Sequence, residues 1–273
     1  MKLATIRHEG AECAALVDPQ AGRVWPLPGR TMIDVIGAKA VPRADGLGTP
    51  LSDVSLLAPI PRPARNIFCV GKNYRDHAAE MGSADSLPDV PILFSKVPQT
   101  VIADGDAIRI PHGLSEAIDY EAELAVVIGR EGRGIAAADA YGHVFGYTIL
   151  NDVTARDLQR RHGQWLIGKS LDGFCPLGPW IATADELDPA AIGLRLWVND
   201  ELRQSANTAD LIFDIPTIIA TISAGITLYP GDIIATGTPA GVGAGFKPPR
   251  YLKAGDRVTI EIDGIGRLTN PVR

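Results

Sequence analysis

Glu121 and Glu123 are the residues of this 273-residue chain whose type and spacing most directly suggest chemistry. They belong to the run Asp119-Tyr120-Glu121-Ala122-Glu123-Leu124-Ala125-Val126-Val127-Ile128, which reads as one strand over 119–128. Alternate residues of a strand share a face, so Tyr120, Ala122, Leu124, Val126 and Ile128 make an apolar side. Asp119, Glu121 and Glu123 lie on the other side, which gives way to Ala125 and Val127. The two glutamates then stand about 7 Å apart along the strand and can converge on a point above it. Acids so placed repel one another unless solvent or a cation neutralises them. A solvated face of an antiparallel strand would show the same alternation. The apolar continuation argues for burial instead, and so for carboxylate ligands to a hard cation, Mg²⁺ or Mn²⁺, with Ca²⁺ as another occupant. Asp152 offers a third oxygen, because Asn151-Asp152 directly follows an apolar strand over 144–150. Asn-Asp in that place also suits a plain turn or helix cap.

Two further features carry charge or proton-transfer capacity. Lys169 is a lone cation in the apolar, glycine-containing stretch Trp165-Leu166-Ile167-Gly168-Lys169-Ser170. A buried lysine needs a carboxylate partner, which the acidic cluster supplies; a surface lysine with a buried stem is the plainer alternative. His77 and Glu80 stand three apart in an expected short helix over 73–81, on one face. A carboxylate beside an imidazole sets its tautomer and raises its basicity, as a general base requires, although a surface helical pair looks the same. The loop Ala235-Thr236-Gly237-Thr238-Pro239-Ala240-Gly241-Val242-Gly243 can cradle a carboxylate through backbone amides and the Thr238 hydroxyl. It is neither a Walker loop nor a dinucleotide fingerprint, since Phe246 stands where the last glycine belongs. No Gly-x-Ser-x-Gly elbow is present.

The elements that must hold these residues are mostly strands. Short strands and turns are expected over 2–27, then a helix over 31–36. Residues 40–65, with five prolines and two glycines, read as a connector. Later strands are expected at 66–70, 92–94, 107–110, 180–183, 194–198, 233–235 and 257–262, the last with a hairpin turn at Asp263-Gly264. The most persuasive helix is 215–224, with Asp214 as cap, Pro216 in its first turn and Gly225 as stop. A second is expected over 153–162, its Arg156, Arg160 and Arg161 suiting a solvated face. Strands and helices do not alternate, so the expected class is α+β, mostly β, with a small N-terminal domain over 1–62 and a larger one over 63–273.

Taken together, five segments resemble the fumarylacetoacetate hydrolase family over roughly residues 65–273. They are Gly71-Lys72-Asn73-Tyr74-Arg75-Asp76-His77-Ala78-Ala79-Glu80, Asp119-Tyr120-Glu121-Ala122-Glu123-Leu124, Asn151-Asp152-Val153-Thr154-Ala155-Arg156-Asp157, Gly168-Lys169-Ser170 and Gly237-Thr238-Pro239-Ala240-Gly241. The resemblance implies a mixed β-roll catalytic domain, usually dimeric, and Mg²⁺ or Mn²⁺ held by Glu121, Glu123 and Asp152. It implies that Lys169 and Gln159 hold the substrate or its developing enolate, and that Thr238 binds its carboxylate. His77 and Glu80 match a dyad on a short lid helix, and Lys72 and Tyr74 of the same segment are candidate substrate contacts. The length and the variant Arg161-His162-Gly163-Gln164-Trp165 resemble short, acylpyruvase-like bacterial members. Such members hydrolyse acylpyruvates, decarboxylate oxaloacetate-like acids or isomerise dienedioates. The leading expectation is therefore a hydrolase of a C–C bond in 2,4-dioxo acids. A decarboxylase or isomerase on the same metal is the alternative, and a non-catalytic metal and carboxylate binder is the alternative of another class.

Bulk properties agree with a small 2-oxo acid as partner. With 26 Lys+Arg against 32 Asp+Glu the formal charge is -6, which argues against nucleic acid or an anionic membrane surface. Cys13, Cys69 and Cys175 are odd in number and far apart, which disfavours a disulfide framework or structural zinc and suits a reducing cytosol. Charges interrupt the first nine residues where a signal peptide needs an apolar run, and no run approaches the roughly 18 apolar residues of a membrane helix. A cytoplasmic homodimer is the expectation.

Overall fold

The computed structural model describes residues 1–38, 43–80, 82 and 87–273. Among these, twelve strands join one large sheet. Its main path runs in space through Thr49–Pro50, Arg23–Leu27, Ala11–Asp18, Lys2–His8, Cys175–Thr183, Val144–Asn151, Ala122–Ile128, Ile233–Ala235, Ile67–Gly71 and Ile92–Lys96. Ser55–Leu57 pairs with Lys2–His8, and Val101–Ile102 with Cys175–Thr183. A four-stranded antiparallel sheet, ordered Glu201–Asn207, Gly193–Val198, Arg257–Ile262, Gly266–Pro271, packs against it. The fold is mostly β, as the patterning predicts.

The central strand Ala122–Ile128 is buried along its whole length. Its two faces feed two separate cores, as the alternation predicts. Leu124, Val126 and Ile128 pack with Leu194, Leu196 and Ile260 of the smaller sheet and with the helix Ile215–Ser223. Ala125 and Val127 pack on the other side with Ile67, Cys69, Leu177 and the short helix Met32–Ile36. Helix Ile215–Ser223 starts where expected: the Asp214 carboxylate accepts from Thr217 N at 2.9 Å, a cap worth about 1 kcal/mol. Its Ile215, Ile218, Ile219 and Ile222 form one buried stripe. Among the described residues no helix is long and apolar enough to cross a membrane.

Several expectations change. The strand expected over 119–128 is broken: Ile118–Asp119 pairs with Thr154–Ala155, and the main strand begins at Ala122. The break arises because side chains replace ladder partners, Glu121 N donating to Asn151 Oδ1 and Ala122 N to Gln204 Oε1. The same pairing of Thr154–Ala155 delays the helix expected over 153–162, which runs only over Arg156–Arg161. The 107–110 strand reduces to one bridge between Ile108 and Val272. The connector over 40–65 carries Thr49–Pro50 and Ser55–Leu57, both absorbed into the large sheet; residues 39–42 lie outside the described residues. Lys2 and Leu3 pair with Ala182 and Ile181, so the sheet crosses from the N-terminal segment into the larger part without a seam.

Candidate active site

Glu121 and Glu123 flank the start of the central strand, on the face that Ala125 and Val127 continue. Asp152 follows the neighbouring strand Val144–Asn151, and its backbone N donates to Glu121 O at 2.9 Å, which ties the two chain segments together at the site. One carboxylate oxygen from each of Glu121, Glu123 and Asp152 lies within 4.8 Å of the others. All three side chains are buried, so the reading of a solvated strand face is wrong. Asp119, the third acid of the run, goes elsewhere. It accepts from Gly243 N at 2.6 Å and Ala244 N at 3.0 Å and pairs with Arg156 Nε at 2.8 Å, so it braces the glycine loop.

Three buried cations answer these acids. Lys169, on the short helix Leu166–Lys169, places Nζ 2.7 Å from Glu121 Oε2 and 2.6 Å from Asp152 Oδ2. It is thus the buried, paired lysine and not a surface one. Arg156 reaches Glu121 Oε1 at 2.6 Å. Lys96 Nζ is 2.6 Å from Asp152 Oδ1, donates to Val153 O at 3.0 Å, and also donates to Lys169 O. Burial pushes the Glu121 carboxyl upward, but Lys169 and Arg156 beside it outweigh burial and hold it at about 2. Glu123 behaves oppositely. Burial first, then the charges of Asp152 and Glu121, push it well above the usual carboxylate range. Its polar partner is Gly237 N at 2.7 Å, and among the described ion pairs it has none.

Four buried carboxyl groups, Asp119, Glu121, Glu123 and Asp152, face three buried cations, so with all four ionised one negative charge is unmatched, the one on Glu123, whose carboxyl is raised by burial and then by Asp152 and Glu121. A divalent cation would turn that deficit into a surplus of one positive charge. The donors are hard oxygens, they converge, and Glu123 lacks the cation a buried carboxylate needs. These residues fit a metal ion.

The cavity above them has a volume of about 310 Å³. Lys72, His77, Glu121, Glu123, Gln159, Lys169 and Thr238 all line it, which brings together most of the residues expected from sequence. His77 and Glu80 lie on the helix Arg75–Glu80, with His77 Nδ1 3.3 Å from Glu80 Oε2. Glu80 is anchored in turn by Gly241 N at 3.0 Å. Gln204, a buried residue of the strand Glu201–Asn207 that pattern reading passes over, donates to Thr238 Oγ1 at 2.9 Å. With that oxygen used as acceptor, the Thr238 proton is free to point into the cavity. Gln159 Oε1 accepts from Arg156 Nη1 at 3.2 Å, which leaves the Gln159 amide donors for a ligand. Tyr74 departs from the group. It is buried against a neighbouring cleft, and its hydroxyl has no hydrogen-bond partner among the described residues. Residues 81 and 83–86, the end of the expected lid helix and part of the loop after it, lie outside the described residues.

Sequence reasoning missed Arg156, Lys96, Phe94 and Trp165. Arg156 reads as a solvated cation, yet it is 2% exposed. Its spacing three residues before Gln159 was a usable signal, because both must then share a helix face. Nothing local marks Lys96, whose partner lies 56 residues away. Phe94 and Trp165 meet edge-on with ring centroids 5.1 Å apart and form an apolar wall, and Lys169 Nζ stands 5.0 Å from the Phe94 ring.

Comparison with known proteins points to one family. A family model described as Fumarylacetoacetate (FAA) hydrolase C-terminal matches residues 66–273. Oxaloacetate tautomerase YisK of Bacillus subtilis is 54% identical over 223 residues, covering 81% of this chain and 74% of its own. The structure of a fumarylacetoacetate hydrolase from Exiguobacterium antarcticum superposes with a TM-score of 0.90 at 44% identity, covering 100% of this chain and 99% of that one. A 5-carboxymethyl-2-hydroxymuconate delta-isomerase structure from Mycobacterium smegmatis gives a TM-score of 0.84 at 38% identity, with 100% and 99% coverage.

Proposed function

The chain belongs to the fumarylacetoacetate hydrolase family, and from that premise we propose that it is a tautomerase or isomerase of 2-oxo acids of the oxaloacetate type, working with Mg²⁺ or Mn²⁺. The sequence alone put C–C hydrolysis first; the relatives named as tautomerase and isomerase support the alternative better. The observation that carries the reading is the setting of His77. Its Nδ1 is turned to Glu80 Oε2, so the imidazole keeps Nε2 for the cavity that Glu121 and Glu123 also line.

Glu121, Glu123 and Asp152 would hold the cation, in keeping with their hard oxygen donors. When bound, the metal supplies Lewis acidity that polarises the 2-oxo group and acidifies the adjacent C–H bond. His77 Nε2 takes the C3 proton, the C–H electron pair becomes the C2=C3 double bond, and the proton is returned to the 2-oxo oxygen. Glu80 holds the imidazole in the required tautomer and stabilises it while it is charged. Lys169 spends two N–H bonds on Glu121 and Asp152 and keeps its third for the oxygen on which negative charge develops. Thr238 and Gln159 donate to the substrate carboxylate and orient it.

The test is the rate at which enol-oxaloacetate decays with purified protein and Mn²⁺. His77→Ala should lose about 10²- to 10⁴-fold, the share of a general base. No acceleration by the metal-loaded wild type would overturn the reading. C–C hydrolysis of acylpyruvates is the second reading, favoured by the likeness to the Exiguobacterium hydrolase; there His77 would deprotonate water. Loss of acylpyruvate absorbance distinguishes the two. A homodimer in the cytoplasm remains part of this proposal, and sedimentation mass checks the assembly.

A further inference from the structure

The cavity wall holds a cation that the mechanism leaves unused. The helix Arg156–Arg161 turns one face inward, so that Arg156, Gln159 and Arg160 line the cavity at spacings of three and four. Their exposure rises toward the mouth. Arg156 is buried and committed to Asp119 and Glu121, Gln159 is half-buried against Arg156, and Arg160 is exposed. Among the described residues no carboxylate or carbonyl engages the Arg160 guanidinium. One helical turn, about 6 Å, separates Arg160 from Arg156. A ligand anchored at the cavity floor by Lys169 and Gln159 therefore has a second, unsatisfied guanidinium within the length of a short carbon chain. Phe94 and Trp165 make an apolar wall of the same cavity for that chain to lie against.

We propose that Arg160 determines substrate specificity by binding the second carboxylate of the substrate, so that the site selects dianionic 2-oxo acids over monoanionic ones. A planar guanidinium matches a carboxylate in two parallel hydrogen bonds, which fixes the chain's direction as well as its charge. The inference rests on the tautomerase reading for the identity of the reaction, but the selection by charge belongs to the cavity itself.

The experiment compares oxaloacetate with phenylpyruvate, which also tautomerises but has one carboxylate, in wild type, Arg160→Gln and Arg160→Lys, each loaded with Mn²⁺. The ratio of kcat/KM for oxaloacetate to that for phenylpyruvate should fall about tenfold in Arg160→Gln, mainly through KM, with Arg160→Lys between the two. An unchanged ratio would overturn the inference. If the wild type turns over neither compound, the tautomerase reading fails separately. Equilibrium binding of oxaloacetate and of pyruvate, which differ by the one carboxylate, then decides: wild type should prefer oxaloacetate and Arg160→Gln should lose that preference, while equal preference in both overturns the assignment.

Discussion

Lys96 shows how much of the site depends on a residue that does not line the cavity. Its ammonium is fully buried and is held by Asp152 and by the carbonyls of Val153 and Lys169, so one side chain fixes both an acid of the cluster and the backbone of Lys169. Lys96→Met should destabilise the protein by about 3–5 kcal/mol in urea unfolding, because it strands a buried carboxylate and two carbonyls. Glu123→Gln should behave differently. Since Glu123 has no cationic partner among the described ion pairs, the variant should keep the metal-free unfolding midpoint. Its Mn²⁺ affinity should drop by more than about 100-fold, beyond the loss typical of residues that only support a ligand. Isothermal titration checks the affinity. The glutamates were legible because period-2 alternation is a local property; Lys96 was not, because what makes it special is a partner 56 residues away.

At the scale of elements, the helix Arg75–Glu80 and the glycine loop are joined by a relay of hydrogen bonds. Arg203 donates to the Tyr120 hydroxyl at 3.1 Å, Tyr120 donates to Gly241 O at 3.1 Å, and Gly241 N donates to Glu80. Tyr120→Phe should therefore cost about 1–2 kcal/mol of stability and lower kcat with KM nearly unchanged, since it loosens the anchor of the His77–Glu80 pair and not a substrate contact. Gly241 itself sits at φ 101°, and a methyl there would strike Arg203 O, so Gly241→Ala should lose far more activity than Tyr120→Phe. Gly71→Ala tests the cavity wall: its methyl would lie 2.5 Å from Trp165 Cζ3, so the indole must move, and KM should change more than kcat. Steady-state kinetics of the three variants reads these splits. The helix Ile215–Ser223 was legible from its cap and stripe, whereas the break before Ala122 was not. That break depends on Asn151 and Gln204, which reach the strand only after the chain has folded.

For the whole molecule, the central fact is a sheet whose members come from both ends of the connector. A chain beginning at residue 66 keeps every residue lining the cavity but uncovers the edge of Cys175–Thr183 that Lys2–His8 occupies. Such a truncation should be less soluble and unfold at a lower temperature than the full chain, measured by light scattering and calorimetry. Proper folding with an unchanged midpoint would instead favour the expected division into 1–62 and 63–273. The mostly β class could be read from the many strand patterns and their failure to alternate with helices, but the joining of Lys2–His8 to Cys175–Thr183 could not, because pairing across 180 positions leaves no local trace. The family model matches residues 66–273, a shorter stretch than the one that shares a single hydrogen-bonded sheet. An exchange of leading segments between relatives would have to preserve the register of Lys2 on Ala182, so any substitute segment must fit the edge that Cys175–Thr183 offers it.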